Sequence, residues 1–187
     1  MTSRNLLCRL MREDVKRRLW AIALSAIAFL FVLPVSVATS LERVARMIQE
    51  GSTAGEESVM LSITASSYLG AENALLGMLT IMMAIVCGIS GFYYLQSKKK
   101  VDFYHSLPIK RETLFASSYV VGIAIYVIPY LISLAISFVI VGANGVFQSD
   151  VWSIAWKTFG ANVLSYSIIY TVTVSYTHLT LPTTPYV

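Results

Sequence analysis

Long apolar runs alternate with short charged segments along the whole chain. Four segments contain no Asp, Glu, Lys or Arg, namely Leu19 to Leu41, Asn73 to Ser97, Thr113 to Ser149 and residues 158–187. A helix needs about 20 apolar residues to cross the ~30 Å hydrocarbon layer, and in lipid its backbone must satisfy its own hydrogen bonds. The pattern therefore predicts an all-α, multi-pass helical membrane protein. Its four predicted spans are residues 19–38, 74–95, 118–141 and 158–174.

The segment before the first run has a different pattern, with a helical period. Over residues 5–16 the apolar side chains share one arc of the helix and the charged ones share the other, with Asp14 as the exception. Such a helix lies among the lipid headgroups with its cations toward anionic lipid. We predict an interfacial helix within residues 1–18; the alternative is a basic arm that only sets topology. The side chains expected at the membrane surface are Arg9, Arg12, Lys16 and Trp20.

Basic residues are unevenly shared among the polar segments. Residues 1–18 carry six Lys or Arg against two acidic residues, and residues 98–112 carry five against two. Residues 42–72 carry two against five. The positive-inside rule therefore predicts a cytoplasmic N-terminus and a cytoplasmic loop at 96–117, with the loop at 39–73 and the last loop outside. We expect the membrane to be the plasma membrane.

Two local signals refine the region between the first two spans. Pro34 lies near the end of the first span and is expected to bend it. The spacing Thr39-x-x-Glu42 is that of a capping box, which predicts a new short helix starting in the external loop.

Other patterns suggest how the spans pack. Small residues at Ala84 and Gly88, one helical turn apart, allow another helix to approach closely, and Ser133 and Ser137 form a second such face. Several tyrosines also lie within the spans. They suit either packing between helices or the lining of an amphiphile path, and packing is the favoured interpretation. The tyrosines in question are Tyr126, Tyr130, Tyr166 and Tyr170.

Composition agrees with a membrane protein and disfavours an enzyme. Hydrophobic residues make up 56% and charged residues 13%, whereas soluble domains have about 25% charged residues. The sequence contains no P-loop, no H-E-x-x-H and no Cys/His cluster. His105 and Ser106 are neighbours, but one His beside one Ser without an orienting carboxylate is not a catalytic triad. We therefore expect no catalytic residues, no metal and no cofactor in this chain.

The basic segment around residues 97–115 has two further interpretations. Aromatic residues among lysines suit nucleic acid, but a few cations at a membrane surface more often set topology and contact anionic lipid. No nucleic-acid partner is expected. A second possibility is a short positively charged turn with aromatic interface anchors and no protein partner.

The sequence at the end of the chain differs in composition from the predicted spans before it. "SYTHLTLPTTPYV", residues 175–187, resembles a translated sequencing-adapter read-through, and Pro182 and Pro185 are expected to break a helix. We expect a non-native tail here, and a native protein that continues beyond Val174.

The segment "FYHSLPIKRETLF" between the second and third spans, with Tyr119-x-x-Gly122 after it, resembles the permease subunits of type-2 ATP-binding-cassette (ABC) exporters of Gram-positive bacteria. The resemblance implies a single permease domain over residues 1–174, part of a six-span protein that works as a dimer. It also implies that residues 96–117 form a coupling loop that docks on a separate cytosolic ATPase subunit. The residues that the resemblance assigns to docking are Phe103, Tyr104, His105, Leu107, Pro108 and Arg111.

The residues of this loop suit docking on their own terms. Phe103 and Tyr104 are aromatic anchors for a groove, with Lys and Arg around them as a polar rim. Leu107 precedes Pro108 and so avoids the α region, which interrupts any helix there. The rival class is a non-transporting membrane protein, such as a sensor or an assembly factor, that shares only this topology.

Overall fold

All the secondary structure in the described part of the chain is helical. The computed structural model describes residues 11–49, 54–71, 73–92, 111–145 and 149–179. Its elements are α1 at residues 11–17, α2 at Leu19–Leu30, a π-helical turn at Phe31–Val35, α3 at Ser36–Gln49, α4 at Ala54–Leu69, α5 at Ala74–Phe92, α6 at Arg111–Ala143 and α7 at Ser149–Leu179. The all-α prediction is confirmed.

Three stretches of the described helices are long and apolar enough to cross a membrane: Leu19–Met47, Val59–Gly91 and Phe115–Ala143. They contain the first three predicted spans, apart from the last residues of the second. The fourth predicted span lies in α7, which has 31 residues but is not among the three. Tyr, Ser and Thr recur among its apolar residues and lower its hydropathy.

Helices α6 and α7 are longer than the spans that the sequence predicts within them. Helix α6 has 33 residues, which corresponds to about 50 Å at 1.5 Å per residue, against ~30 Å of hydrocarbon. Exposed tryptophans lie toward both ends of the bundle: Trp20 at the start of α2, and Trp152 and Trp156 in the first turns of α7. This is the distribution of aromatic residues at the two interfaces of a membrane.

Helix α2 passes into α3 without a break. Pro34 is inside the π-helical turn, which accommodates its missing N–H, and the chain continues as helix to Gln49. The Thr39 hydroxyl donates to the Val35 carbonyl at 2.9 Å, so Thr39 is a helix-interior residue and not an N-cap. The capping-box prediction is therefore wrong, because this hydroxyl bonds backward to the preceding turn.

The predicted external loop is largely a helical hairpin. Helices α3 and α4 pack against each other, with Leu41, Leu61 and Leu69 buried. Asn73 then starts α5: its Oδ1 accepts from the Leu76 N–H at 3.2 Å, and its Nδ2 donates to the Tyr68 carbonyl at 2.9 Å. This N-cap explains why α5 begins at the residue where the sequence predicts the second span.

Small residues bring α5 against α7, the most closely packed pair in the bundle. A Cβ added at Gly88 would lie 2.6 Å from Thr173 Cγ2, and Ala84 is fully buried. The predicted small-residue contact is therefore confirmed for α5. Ser133 and Ser137 on α6 are buried as well. Helix α7 continues past Val174 to Leu179, and residues 180–187 lie outside the described residues.

The bundle has two distinct ends. Arg18 contacts Gly91 and Ser118, so the N-terminal helix lies at the same end as α5 and α6 where they flank the basic segment; we call this the Arg18 end. The α3–α4 hairpin lies at the opposite end, called the hairpin end. The described flanks of the second basic segment therefore lie beside the N-terminal helix, and the grouping of the two basic segments themselves stays a prediction.

Candidate functional site

Only part of the predicted docking and membrane-surface site lies within the described residues. Phe103, Tyr104, His105, Leu107 and Pro108 lie outside the described residues, as does Arg9. Arg111 is the first residue of α6. The three described residues expected at the membrane surface are all exposed, namely Arg12, Lys16 and Trp20.

A buried arginine organises the Arg18 end of the bundle. Arg18 lies between α1 and α2 and is only 6% exposed. Its Nη2 donates to the Gly91 carbonyl at 2.9 Å, and its Nη1 approaches the Ser118 carbonyl at 3.5 Å. Gly91 is in the last turn of α5 and Ser118 is near the start of α6. One guanidinium therefore holds both flanks of the segment that joins these helices.

An acidic residue completes this group. Ser118 Oγ donates to Asp14 Oδ2 at 2.6 Å, and Arg18 Nη2 lies 4.0 Å from the same oxygen. A buried charge is costly unless it is paired and hydrogen-bonded, and here the carboxylate and two backbone carbonyls serve that purpose. We call Asp14, Arg18, Gly91 and Ser118 the Arg18 node.

Sequence reasoning missed this node, although two signals pointed to it. Asp14 is the one charged residue on the apolar arc of the N-terminal helix, and an acid on a packed face needs a partner. Arg18 directly precedes the first apolar run, where a basic residue is also expected simply to set topology. The identity of the partners depends on α5 and α6, which are more than seventy residues away in the sequence.

The outer face of α1 fits the interfacial helix that the sequence predicts. Met11 and Val15 pack against the core, while Arg12 and Lys16 are exposed. Lys16 donates to Glu13 at 3.0 Å, and this hydrogen bond holds the pKa of the Glu13 carboxyl below its usual value. Exposed cations on one face and packed apolar residues on the other suit a helix that lies between the bundle and the headgroups.

The Tyr119-x-x-Gly122 pair joins α6 to α7. The Tyr119 hydroxyl is 2.8 Å from Thr171 Oγ1, and the Tyr166 hydroxyl donates to the Gly122 carbonyl at 2.8 Å. A Cβ at Gly122 would lie 2.1 Å from the Tyr170 hydroxyl oxygen. The missing side chain at Gly122 therefore makes the notch into which the end of the Tyr170 ring fits.

Aromatic rings form a continuous column through the bundle. Tyr126 stacks on Tyr166 with centroids 4.0 Å apart, Tyr166 lies 5.6 Å from Tyr170, and Phe29 of α2 stacks on Tyr130 at 4.9 Å. All four span tyrosines are at most 1% exposed. Their burial supports packing between helices rather than an open path for a substrate.

The column also contains a buried polar pair that allows a stability test. Thr80 Oγ1 lies 2.9 Å from the Tyr126 hydroxyl, and both residues are buried. We expect Thr80→Val to lower the free energy of unfolding by about 1–2 kcal/mol, because it leaves the buried Tyr126 hydroxyl unpaired. Tyr126→Phe should lower it by less, because the Thr80 hydroxyl still donates to the Leu76 carbonyl at 2.9 Å.

The double variant Thr80→Val/Tyr126→Phe should lose less stability than the sum of the two single changes, since it leaves neither group unpaired. Denaturant unfolding in detergent measures all three values. Strict additivity would show that the two hydroxyl groups are not bonded to each other.

No family model, curated protein or solved structure matches this chain. Its class is therefore defined by what the fold contains: a helical membrane protein with three apolar stretches of spanning length in the described residues, tied together at one end by a buried charged node.

Proposed function

We propose that this chain is the membrane-spanning permease subunit of an ABC exporter, moving an unidentified substrate out of the cell while a separate cytosolic ATPase subunit hydrolyses ATP. Two observations support this proposal. The segment between α5 and α6 has the H-S-L-P-x-x-R-x-x-L-F pattern of that family. The Arg18 node, moreover, fastens the flanks of this same segment to the N-terminal helix.

The Arg18 node is the observation that carries the proposal. A motor that docks on residues 96–117 needs its displacement transmitted into the membrane rather than absorbed by a loose loop. Helices α5 and α6 leave this segment directly, and Arg18 connects both of them to α1 and α2. A push on the segment would therefore move four helices together.

The aromatic column extends this connection to α7. Tyr119 and Gly122 of α6 contact Thr171, Tyr166 and Tyr170 of α7. These contacts begin at Tyr119, the residue after Ser118, so a tilt of α6 at the Arg18 node would reach α7 through close ring contacts. In the proposed mechanism, ATP-driven closure of two ATPase subunits brings the loops of two permease copies together and tilts these helices.

The proposal places the Arg18 end in the cytoplasm and the hairpin end outside the plasma membrane. The N-terminal cations would then face anionic lipid of the inner leaflet. The permease has no ATP-binding motif of its own in this sequence, and it depends on the partner subunit for hydrolysis.

Replacing the two aromatic anchors should weaken docking. We expect Phe103→Ala/Tyr104→Ala to weaken binding of the proposed ATPase partner, to be sought as a Walker-motif ATPase in a neighbouring reading frame, at least about 30-fold, since buried aromatic hot spots each contribute about 2 kcal/mol or more. Pull-down of the purified ATPase by the full-length permease in nanodiscs, quantified over an ATPase titration, measures this loss.

Trp156→Ala is the matched control, because it removes an exposed aromatic side chain at the far end of the bundle; ATPase binding should be unchanged. Normal ATPase binding by the double variant would remove the docking assignment. Absence of any ATPase binding by the wild-type permease would favour a membrane protein that does not transport.

A further inference from the structure

A proline interrupts the hydrogen-bond ladder in the middle of α6. Pro129 lies inside this helix, which is α-helical on both sides of it. Because proline has no N–H, the carbonyl four residues earlier, that of Ile125, loses its regular helical donor. Ile125 is only 3% exposed, so bulk water has little access to this carbonyl. A buried carbonyl without a donor is costly, and a donor must come from elsewhere.

A serine of the neighbouring helix supplies that donor. Ser25 Oγ of α2 donates to the Ile125 carbonyl at 3.0 Å. The same oxygen lies 2.9 Å from the Ile22 carbonyl of its own helix, but a hydroxyl has only one proton to give. The Ile22 carbonyl lies within the regular ladder of α2 and has a backbone donor there, whereas Ile125 has lost its own. The acceptor with the greater need for the proton is therefore Ile125.

Ring packing holds the two helices together at this level. Phe29, one turn after Ser25 on α2, contacts Tyr126 and Tyr130 at centroid distances of 5.2 and 4.9 Å. These two tyrosines lie on either side of the proline in α6. Ser25 and Phe29 are both fully buried. The serine hydroxyl is therefore kept beside its acceptor by contacts in which it takes no part.

The buried proline at the end of α2 is accommodated in another way. Pro34 lies in the π-helical turn at Phe31–Val35, where the backbone itself changes its hydrogen-bond pattern. Helix α6 has no such turn at Pro129. In a membrane helix, a Ser or Thr side chain or a neighbouring helix is the alternative source of a donor, and here both come from Ser25.

We propose that Ser25 is a brace for α6: its hydroxyl replaces the amide donor that Pro129 removes, so that α6 stays hydrogen-bonded across its proline and is fastened to α2 midway along its length. The serine is needed because of the proline, and not as a general packing residue. The brace goes beyond the proposed function, since it concerns the helix itself and holds whether or not an ATPase docks on this protein.

The dependence of the serine on the proline is tested by a double-mutant cycle in the full-length protein. With Pro129 present, Ser25→Ala should lower the ratio of folded to unfolded protein about 5- to 30-fold, because it leaves the Ile125 carbonyl unpaired. In Pro129→Ala, residue 129 again has an N–H for this carbonyl. Ser25→Ala should then change the ratio by less than about 3-fold. Denaturant unfolding in detergent measures both ratios.

Ser137→Ala is the matched control. Ser137 is a buried serine as well, but its hydroxyl donates to the Ser133 carbonyl of its own helix at 2.9 Å. Its replacement should have the same effect with and without Pro129. Equal losses from Ser25→Ala in the two backgrounds would overturn the brace, because the serine would then act independently of the proline.

A second measurement reads the Ile125 carbonyl directly. Labelling with carbonyl-¹³C isoleucine and ¹⁵N tyrosine gives two carbonyl signals in an HNCO spectrum, because Ile-Tyr occurs only at residues 125–126 and 169–170. The signal that disappears in Tyr170→Phe is that of Ile169. Ser25→Ala should move the Ile125 signal upfield, as expected for a lost hydrogen bond, and leave the Ile169 signal in place.

This measurement decides alone if Pro129→Ala fails to fold. An Ile125 carbonyl signal that Ser25→Ala leaves unchanged would overturn the brace, since the hydroxyl would not be the donor to that carbonyl.

Discussion

Arg18→Ala is expected to lower the free energy of unfolding by about 2–4 kcal/mol, a loss caused mainly by the groups it leaves behind. Without the guanidinium, the Gly91 carbonyl loses its side-chain donor, and Asp14 keeps only the Ser118 hydroxyl. The expected loss is below that for a fully buried ion pair, because the Asp14 side chain retains some exposure. Denaturant unfolding of the purified protein in detergent measures it.

Arg12→Ala is the control for this prediction. Arg12 is on the same N-terminal helix but is exposed, so its removal should change stability by no more than about 0.5 kcal/mol. Equal losses in the two variants would mean that only the positive charge of the segment matters. The geometry of the Arg18 node would then be irrelevant to stability.

Gly122→Ala should disrupt the contact between α6 and α7. Its new methyl group would lie 2.1 Å from the hydroxyl oxygen of Tyr170 and 2.5 Å from Cζ. The Tyr170 ring is held by Tyr119 and Tyr166 and has little room to withdraw. We expect a loss of about 1–3 kcal/mol from overpacking, measured by unfolding in detergent.

Two further variants show whether the Tyr170 ring is responsible. Tyr170→Phe in the Gly122→Ala background removes the closest atom, so it should recover part of the loss. Gly160→Ala on α7 adds a methyl group where no atom lies within 4 Å, and it should be neutral or stabilise the helix by up to about 1 kcal/mol. A Gly122→Ala protein as stable as Gly160→Ala would contradict the notch.

The amphipathic pattern of the N-terminal helix shows how far sequence reasoning extends. It correctly separates Met11 and Val15, which pack inward, from the exposed Arg12 and Lys16. It cannot explain Asp14, because periodicity assigns a face but not a partner. The partner, Ser118, comes from α6, and only packing brings the two together.

The capping-box prediction fails for a related reason. Thr39 and Glu42 have the spacing of a helix start, but a threonine hydroxyl can equally bond backward within a helix. Here it does so, because α2 continues through Pro34 into α3, and α3 packs against α4 and α6. At Asn73 a local signal marks a true helix start, since the Asn73 side chain accepts from the Leu76 N–H and donates to the Tyr68 carbonyl.

The helical class and the approximate spans follow from the sequence alone, because the length of an apolar run acts locally and needs no partner. The tertiary structure alone decided which polar groups inside the bundle are paired. Arg18 donates to the Gly91 carbonyl, and the Tyr170 ring packs against Gly122, because separate helices place these atoms within a few ångströms of each other. Pairing across helices depends on distance in space, which hydrophobic patterning does not encode.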